Sequence, residues 1–306
     1  MRAAGCVFAE EEARLLLDAD VTPLELEDMV ARRVAGFPLE HILGWVEFCG
    51  LRIEVGRGVF VPRRRTEFLV REAARLAHPG AVVLDLCCGC GALGVAVAVS
   101  VGGAVGGSVG GSVGGSVGGS VGMVAAESGA GIELYAADIE PAAVEYTRRN
   151  FARFAGAGVG AGVGGGGGGG AAASRVFQGD LFNALPTALR GRIDIVLCNT
   201  PYVPTDAIRL MPPEARLYEP RVTLDGGADG LDVQRRVAAS ARDWLAPGGQ
   251  LLVEVSEEQA PAAQELFQRN GLTTRVAHSN AVGATVVIGR SPVQRVSIQH
   301  AYSEGE

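Results

Sequence analysis

An apolar run, Ile193-Asp194-Ile195-Val196-Leu197-Cys198, ends in Asn199-Thr200-Pro201-Tyr202-Val203-Pro204. The side-chain oxygen of Asn199 and the backbone carbonyl of Thr200 can each accept one N–H of a planar NH2 group. Such a nitrogen is a poor nucleophile, because its lone pair is delocalised into the neighbouring π system. Two acceptors fix it in place and enrich it electronically. Pro201 biases residue 200 toward an extended backbone, and Tyr202 can stack on the flat group. This chemistry needs no metal, no covalent intermediate and no strong base.

A second cluster lies upstream, in Asp85-Leu86-Cys87-Cys88-Gly89-Cys90-Gly91-Ala92-Leu93-Gly94. Gly89, Gly91 and Gly94 have the Gly-x-Gly-x-x-Gly spacing that lets a backbone turn under a ligand and aim N–H groups at it from a helix start. Asp138 ends the next strand, about twenty residues on once an intervening repeat is discounted, where a carboxylate grips ribose hydroxyls. These features leave NAD and S-adenosylmethionine both open. Asp85 favours the second, since a carboxylate ahead of the loop suits a cation better than a pyrophosphate. Asp180, after a third strand, can accept the exocyclic amine of an adenine while Leu181 packs on its ring; a plain loop cap is the alternative for Asp180. Cys87, Cys88 and Cys90 have the wrong spacing for a structural zinc site. They read as small residues filling a tight loop, and no metal is expected.

The elements that must position these residues alternate. Strands are expected at 82–86, 132–137, 175–178, 193–198, 250–255, 273–277 and 285–288, with helices at 91–100, 141–154, 231–245 and 258–270. That alternation implies a parallel, doubly wound α/β sheet, with ligands at the carboxyl ends of its strands. Before it, residues 9–35 have helical apolar spacing, with Thr22-Pro23 as cap and first helical residue. Residues 51–55 alternate like a strand, and Thr66 is expected to cap a helix running to about His78. Two segments stand apart. Residues 102–122 repeat Gly-Gly-Ser-Val, and 155–173 are almost all Gly and Ala. Both read as flexible surface insertions, because glycine-rich chain buries too little to offset its ordering entropy.

The bulk properties narrow the class. The chain has 306 residues, a net charge of −7 and six cysteines. The acidic balance argues against a broad face that holds nucleic acid; Arg32-Arg33, Arg63-Arg64-Arg65, Arg148-Arg149 and Arg235-Arg236 are only short basic groups. Three cysteines crowd one loop, so reduced thiols are the default. No uncharged apolar stretch is long enough for a bilayer, and residues 1–5 lack a signal-peptide pattern. A cytoplasmic protein with no membrane and no direct nucleic-acid partner is expected.

The acceptor segment resembles the Asn/Asp-Pro-Pro-Tyr motif of methyltransferases that act on amide or exocyclic nitrogens. Further segments follow in one order: Arg33-Val34-Ala35-Gly36-Phe37-Pro38-Leu39-Glu40-His41-Ile42-Leu43-Gly44, Phe60-Val61-Pro62-Arg63-Arg64-Arg65-Thr66-Glu67, Tyr218-Glu219-Pro220, Leu224-Asp225-Gly226-Gly227 and Asp229-Gly230-Leu231. Together they are similar to HemK-type protein-(glutamine-N5) methyltransferases over roughly Arg32 to Arg290. That resemblance implies a class I S-adenosylmethionine-dependent methyltransferase with a Rossmann-like doubly wound sheet and a small N-terminal helical region. It implies as substrate a protein glutamine in the Gly-Gly-Gln loop of a peptide-chain release factor, and so a place in translation termination. By position it implies S-adenosyl-L-methionine held by Asp85, Cys87, Gly89, Gly91, Asp138, Asp180, Leu181 and Asn199. Catalysis would rest on Asn199, Pro201 and Tyr202, with Thr200, Phe60 and Glu67 also facing the substrate. The organisation expected is 1–45 for substrate recognition, 46–290 for catalysis with both insertions, and a 291–306 tail. Thr200 stands where the family usually has proline, Cys87 where it has the first loop glycine, and Arg64-Arg65 where it has Pro-Asp. The N-terminal helical region is also shorter.

Three rivals stand beside this reading. An adenine-N6 nucleic-acid methyltransferase uses the same acceptor logic but needs a basic groove to hold a flipped base. An NAD-dependent oxidoreductase needs a His or Lys beside Asn199. A non-catalytic adaptor keeps the fold without turnover. Methylation of another protein substrate is the nearest alternative.

Overall fold

The computed structural model describes residues 2, 6, 8–102, 131–155 and 175–293. The Gly-Gly-Ser-Val repeat at 102–122, the Gly/Ala tract at 155–173 and the 291–306 tail lie outside the described residues apart from their first few positions.

The apolar runs become strands β3 (Val82–Leu86), β4 (Glu133–Asp138), β5 (Val176–Gln178), β6 (Ile193–Cys198), β7 (Leu245–Val255), β8 (Thr273–Ser279) and β9 (Ala284–Arg290). They form one seven-stranded sheet in the order β5-β4-β3-β6-β7-β9-β8. The chain winds from β3 outward through β4 and β5, then returns to the other side of β3 with β6. Pairings β3–β4, β4–β5, β3–β6 and β6–β7 are parallel. The sheet is not wholly parallel, because β9 runs antiparallel to both β7 and β8. The short link from Ser279 to Ala284 permits a hairpin but not a crossover.

Helices α5 (Ala92–Gly102) and α6 (Pro141–Arg153) cover one face of the sheet together with α4 (Glu67–Leu76); α8 (Asp232–Trp244) and α9 (Ala260–Arg269) cover the other. Burial on both faces is why β3 shows five buried residues in a row and reads as an unbroken apolar run. Fully burying a side chain such as Leu84 or Ile195 contributes about 2 kcal/mol each. Helix α5 is apolar all round because it lies under α4 and α6 as well as on the sheet. No described helix is long and apolar enough to cross a membrane.

Ahead of the sheet come α1 (Ala9–Leu17), α2 (Pro23–Val34) and α3 (Leu39–Leu43), then the hairpin β1 (Trp45–Phe48) and β2 (Leu51–Glu54). Thr22 and Glu25 form a reciprocal cap at the start of α2, with Pro23 as first helical residue. Leu16, Met29 and Ile42 make a small apolar cluster of their own. Thr66 does not cap α4. It lies inside a 3-10 turn with helical torsions, and its buried hydroxyl has no partner.

One guanidinium joins the N-terminal helices to each other and to α7. Arg33 on α2 donates to both oxygens of Glu12 on α1, at 2.6 and 2.8 Å, and to the carbonyl of Phe37 at 3.0 Å. It also donates to Glu214 on α7 (Pro213–Tyr218) at 3.0 Å. The Phe37 and Tyr218 rings meet at 4.3 Å, and the Tyr218 hydroxyl donates to the Ala35 carbonyl at 2.9 Å. Arg33 and Glu12 side chains are only 11% and 12% exposed, so removing one strands the other's charge. Arg33→Met is therefore expected to lose about 3 kcal/mol of stability in urea titration. A loss below about 1 kcal/mol would place the pair in the class of surface bridges.

Candidate active site

Strands β3 and β6 pair in parallel with Leu86 opposite Cys198. The next residues out, Cys87 and Asn199, therefore leave the sheet side by side, about one strand spacing of 4.8 Å apart. Asp138 ends β4 on the far side of β3, and Gly179-Asp180-Leu181 follow β5. Together these strand ends line one open cleft with a cavity volume of about 200 Å3, to which Phe60 and Pro62 also contribute. The glycine-loop end and the asparagine end are thus halves of one cavity, at the point where strand order reverses.

The loop folds as its spacing requires. Gly91 sits at φ +75°, and a Cβ there would press on Thr147 Cγ2 at 2.9 Å. The Gly94 N–H donates to Asp85 Oδ2 at 2.9 Å, leaving Oδ1 buried without a partner. Burial pushes the Asp85 carboxyl up to about 8, against the pull of that N–H and with the charge of Asp138 adding to the rise. Asp138 accepts from the Gly89 N–H and the Glu140 N–H, both at 2.9 Å. Its carboxyl is also raised, chiefly by burial. Each oxygen keeps a lone pair for a hydroxyl. Cys87 adopts φ +59°, the left-handed region that disfavours a side chain. Its thiol is hydrogen-bonded to Cys198, and this with burial raises it well above the usual thiol range. Asp180 pairs with Arg236, and Leu181, at φ +49°, lines the cleft beside it.

At the other end, Asn199, Thr200, Pro201 and Tyr202 all line the cleft. Asn199 Oδ1 is buried and has no protein partner. The loop is held from behind. Val203 pairs with the 224–226 segment through N–H to the Leu224 carbonyl (3.0 Å) and carbonyl to the Gly226 N–H (2.9 Å). Gln259 Nε2 donates to the Tyr202 carbonyl at 2.9 Å and the Asp229 carbonyl at 3.0 Å. The Tyr202 hydroxyl donates to Glu254 Oε1 at 3.2 Å and accepts from Arg65. Burial first, then the Glu254 charge, push this phenol above its ordinary value, so it stays neutral near neutral pH.

The expected site residues divide into three groups. Phe60, Cys87, Gly89, Asp138, Asp180, Leu181 and the Asn199–Tyr202 segment share the cleft. Asp85 and Gly91 lie beneath its lining. Glu67 is placed elsewhere: its Oε1 accepts from the Cys49 N–H at 3.1 Å, joining the start of α4 to the β1–β2 turn. Sequence reasoning missed Arg63, Arg65, Arg236, Glu219, Glu254 and Gln259. Glu254 had a signal, an acid inside the apolar run Leu251-Leu252-Val253-Glu254-Val255. The three arginines that line the cleft are each engaged by a carboxylate: Arg63 by Glu219, Arg65 by Glu254 and Arg236 by Asp180. Paired guanidiniums make a poor seat for a phosphate backbone, which weakens the nucleic-acid rival.

No protein-family model matches the chain. A release factor glutamine methyltransferase of Geobacter sulfurreducens is 33% identical over 275 residues, 89% of this chain and 80% of that protein. One of Mycolicibacterium smegmatis is 33% identical over 270 residues, 87% and 79% of the two chains. Among solved structures, a methyltransferase from Pyrococcus furiosus is similar in fold, with a TM-score of 0.50 and 15% identity over 80% of this chain and 90% of that one.

The packing behind the acceptor loop is testable. Gly230 has φ +79°, and a Cβ there would collide with the Tyr202 carbonyl and the Gln259 amide. Gly230→Ala is expected to lose about 2–3 kcal/mol in urea titration through strain and overpacking. Unchanged stability would mean that the Tyr202 and Asp229 turns are not packed this way.

Proposed function

The chain belongs to the release factor glutamine methyltransferase family, and from that membership we propose that it moves a methyl group from S-adenosylmethionine to the side-chain amide nitrogen of a glutamine in a peptide-chain release factor. The observation that carries the reading is that two of the buried oxygens without a partner are Asn199 Oδ1, in a residue that lines the cleft, and Asp85 Oδ1, just beneath the glycine loop. Leaving such groups unpaired is costly; a cationic ligand at one end and an amide N–H at the other supply what each lacks.

The residues present fit the cofactor. Asp85 offers a carboxylate to a cation, Asp138 offers acceptors to ribose hydroxyls, and Asp180 with Leu181 faces an adenine. Space is open above Gly89, where a built Cβ meets nothing within 4 Å. When bound, S-adenosylmethionine supplies a methyl group made electrophilic by its sulfonium. The chain's own contribution is orientation. Asn199 Oδ1 takes one amide N–H and the Thr200 carbonyl takes the other, which fixes the NH2 plane and so the direction of the lone pair perpendicular to it. The Tyr202 ring lies against the flat amide. Holding nucleophile and methyl in attack geometry can supply on the order of 7–11 kcal/mol of the barrier. The N–H bonds stay with these oxygens until the nitrogen carries positive charge; the proton is then acidic and leaves to water.

The decisive measurement uses mass spectrometry of a release factor incubated with the protein and isotope-labelled S-adenosylmethionine. One labelled methyl on the glutamine of the Gly-Gly-Gln loop is expected; label only on other proteins would overturn the substrate. Asn199→Ala is expected to lower kcat by about 100-fold or more with little change in cofactor affinity, as for any interaction made mainly in the transition state. Equal turnover would remove Asn199 from the mechanism.

Asp85 gives a pH dependence. Its folded value of about 8 lies above the ordinary carboxylate value of 3.8, so the carboxyl holds its proton through neutral pH until a cation arrives. Cationic-ligand binding below pH 8 then releases that proton, and affinity rises with pH up to about tenfold per unit. Calorimetry in buffers of different ionisation enthalpy reads the release directly. In Asp85→Asn the proton release is expected to be absent; release of equal size in the variant would assign it to another group.

A further inference from the structure

Three side chains from distant parts of the chain meet at one carboxylate oxygen beside the acceptor loop. Glu254, near the end of β7, is 2% exposed. Its Oε1 accepts from Arg65 Nε at 3.0 Å and from the Tyr202 hydroxyl at 3.2 Å. Arg65 Nη2 donates to the same hydroxyl, and its guanidinium carbon lies 5.5 Å from the centre of the Tyr202 ring. The triangle is closed: the phenol donates once and accepts once, and the guanidinium fork spans both partners. Gln259 holds the backbone carbonyl of the same residue. Tyr202 is therefore fixed at its carbonyl and at its hydroxyl, which leaves the ring little freedom to swing.

We infer that Arg65, anchored by Glu254, is a positioning residue for methyl transfer: it sets the plane of the Tyr202 ring and so the orientation of the acceptor amide. This rests on the acceptor pocket proposed above. The arrangement demands arginine. Nε and Nη2 diverge in a rigid plane and reach two partners at once, whereas an ammonium is a single point of charge on a flexible stem. Position 65 is also where the resembled family usually has aspartate, and a carboxylate facing Glu254 cannot make this contact. The device belongs to this chain rather than to the motif.

The separation of charge from geometry is the test. Arg65→Lys keeps a cation for the buried Glu254, so the fold is kept, but it cannot also hold the phenol. Turnover of the release-factor glutamine is expected to fall about 10- to 100-fold in kcat, the scale of a small misplacement of reacting groups, while calorimetric affinity for S-adenosylmethionine stays unchanged. In a Tyr202→Leu background the same substitution is expected to have no further effect, because residues acting through one another are not additive. Arg65→Met/Glu254→Met removes both charges together, so no buried carboxylate is left unpaired, and is expected to show the same loss in kcat. Wild-type turnover, measured first, tests the methyl-transfer reading separately, and the ratio of variant to wild type tests Arg65. The inference is overturned if Arg65→Lys keeps kcat within about twofold, or if its effect persists undiminished without the Tyr202 ring.

Discussion

The alignment of two neighbouring strand ends governs this molecule. Leu86 and Cys198 are directly paired, so the glycine loop and the asparagine loop begin at the same height on adjacent strands. A slip of one residue in either strand would turn its side chains to the other face and separate the two loops. The register is secured by burial on both faces, since Leu84, Leu86, Val196 and Cys198 pack under α8 while Val83, Ile195 and Leu197 pack under α4 and α5. Function here is a by-product of core packing in a literal sense. The apolar side chains that exclude water also set the distance between the glycine loop and the asparagine loop.

Charge is distributed by the same logic. Carboxylates near the acceptor loop have been given arginines: Glu219 has Arg63 and Glu254 has Arg65. The pairs sit on segments far apart in sequence, so they tie the segment after Phe60 to the end of α7 through Glu219 and to β7 through Glu254. Glu219 also accepts from the Val61 N–H at 3.3 Å. Asp85 is the exception, buried with one backbone N–H and no cation. A buried acid without a counter-charge is expensive to ionise, and such an expense is borne where a ligand is to arrive.

Much of this was legible in the sequence, for identifiable reasons. The order of strands and helices followed from apolar periodicity, and β6 spans the apolar run that ends at Asn199. The loops carrying chemistry were marked by residue types that are rarely accidental at a strand end, an asparagine before proline or an acid before glycines. What stayed hidden was tertiary. The direction of β9 depends on a hairpin link rather than on its composition. Thr66 looked like a cap because its hydroxyl is of the right type, yet its torsions are helical. Glu67 belonged to a recognisable segment but faces the β1–β2 turn. Arg65 and Glu254, 189 residues apart, share no local pattern that could announce their meeting.

The two glycine-rich tracts interrupt the chain at equivalent places. One follows α5, which ends at Gly102, and precedes β4; the other follows α6, which ends at Arg153, and precedes β5. The first resumes beside the amino end of β3, where the Gly80 N–H donates to the Gly131 carbonyl at 3.0 Å. The cleft-lining loops after β3, β4, β5 and β6 leave the carboxyl ends of strands, and both tracts lie between a helix and the strand that follows it. The cleft-lining loops and the two tracts thus fall on opposite kinds of connection. A returning connection has only to bring the chain back, and doubling its length adds only about 0.6 kcal/mol of closure entropy. Neither tract falls between a strand end that lines the cleft and the residues that follow it.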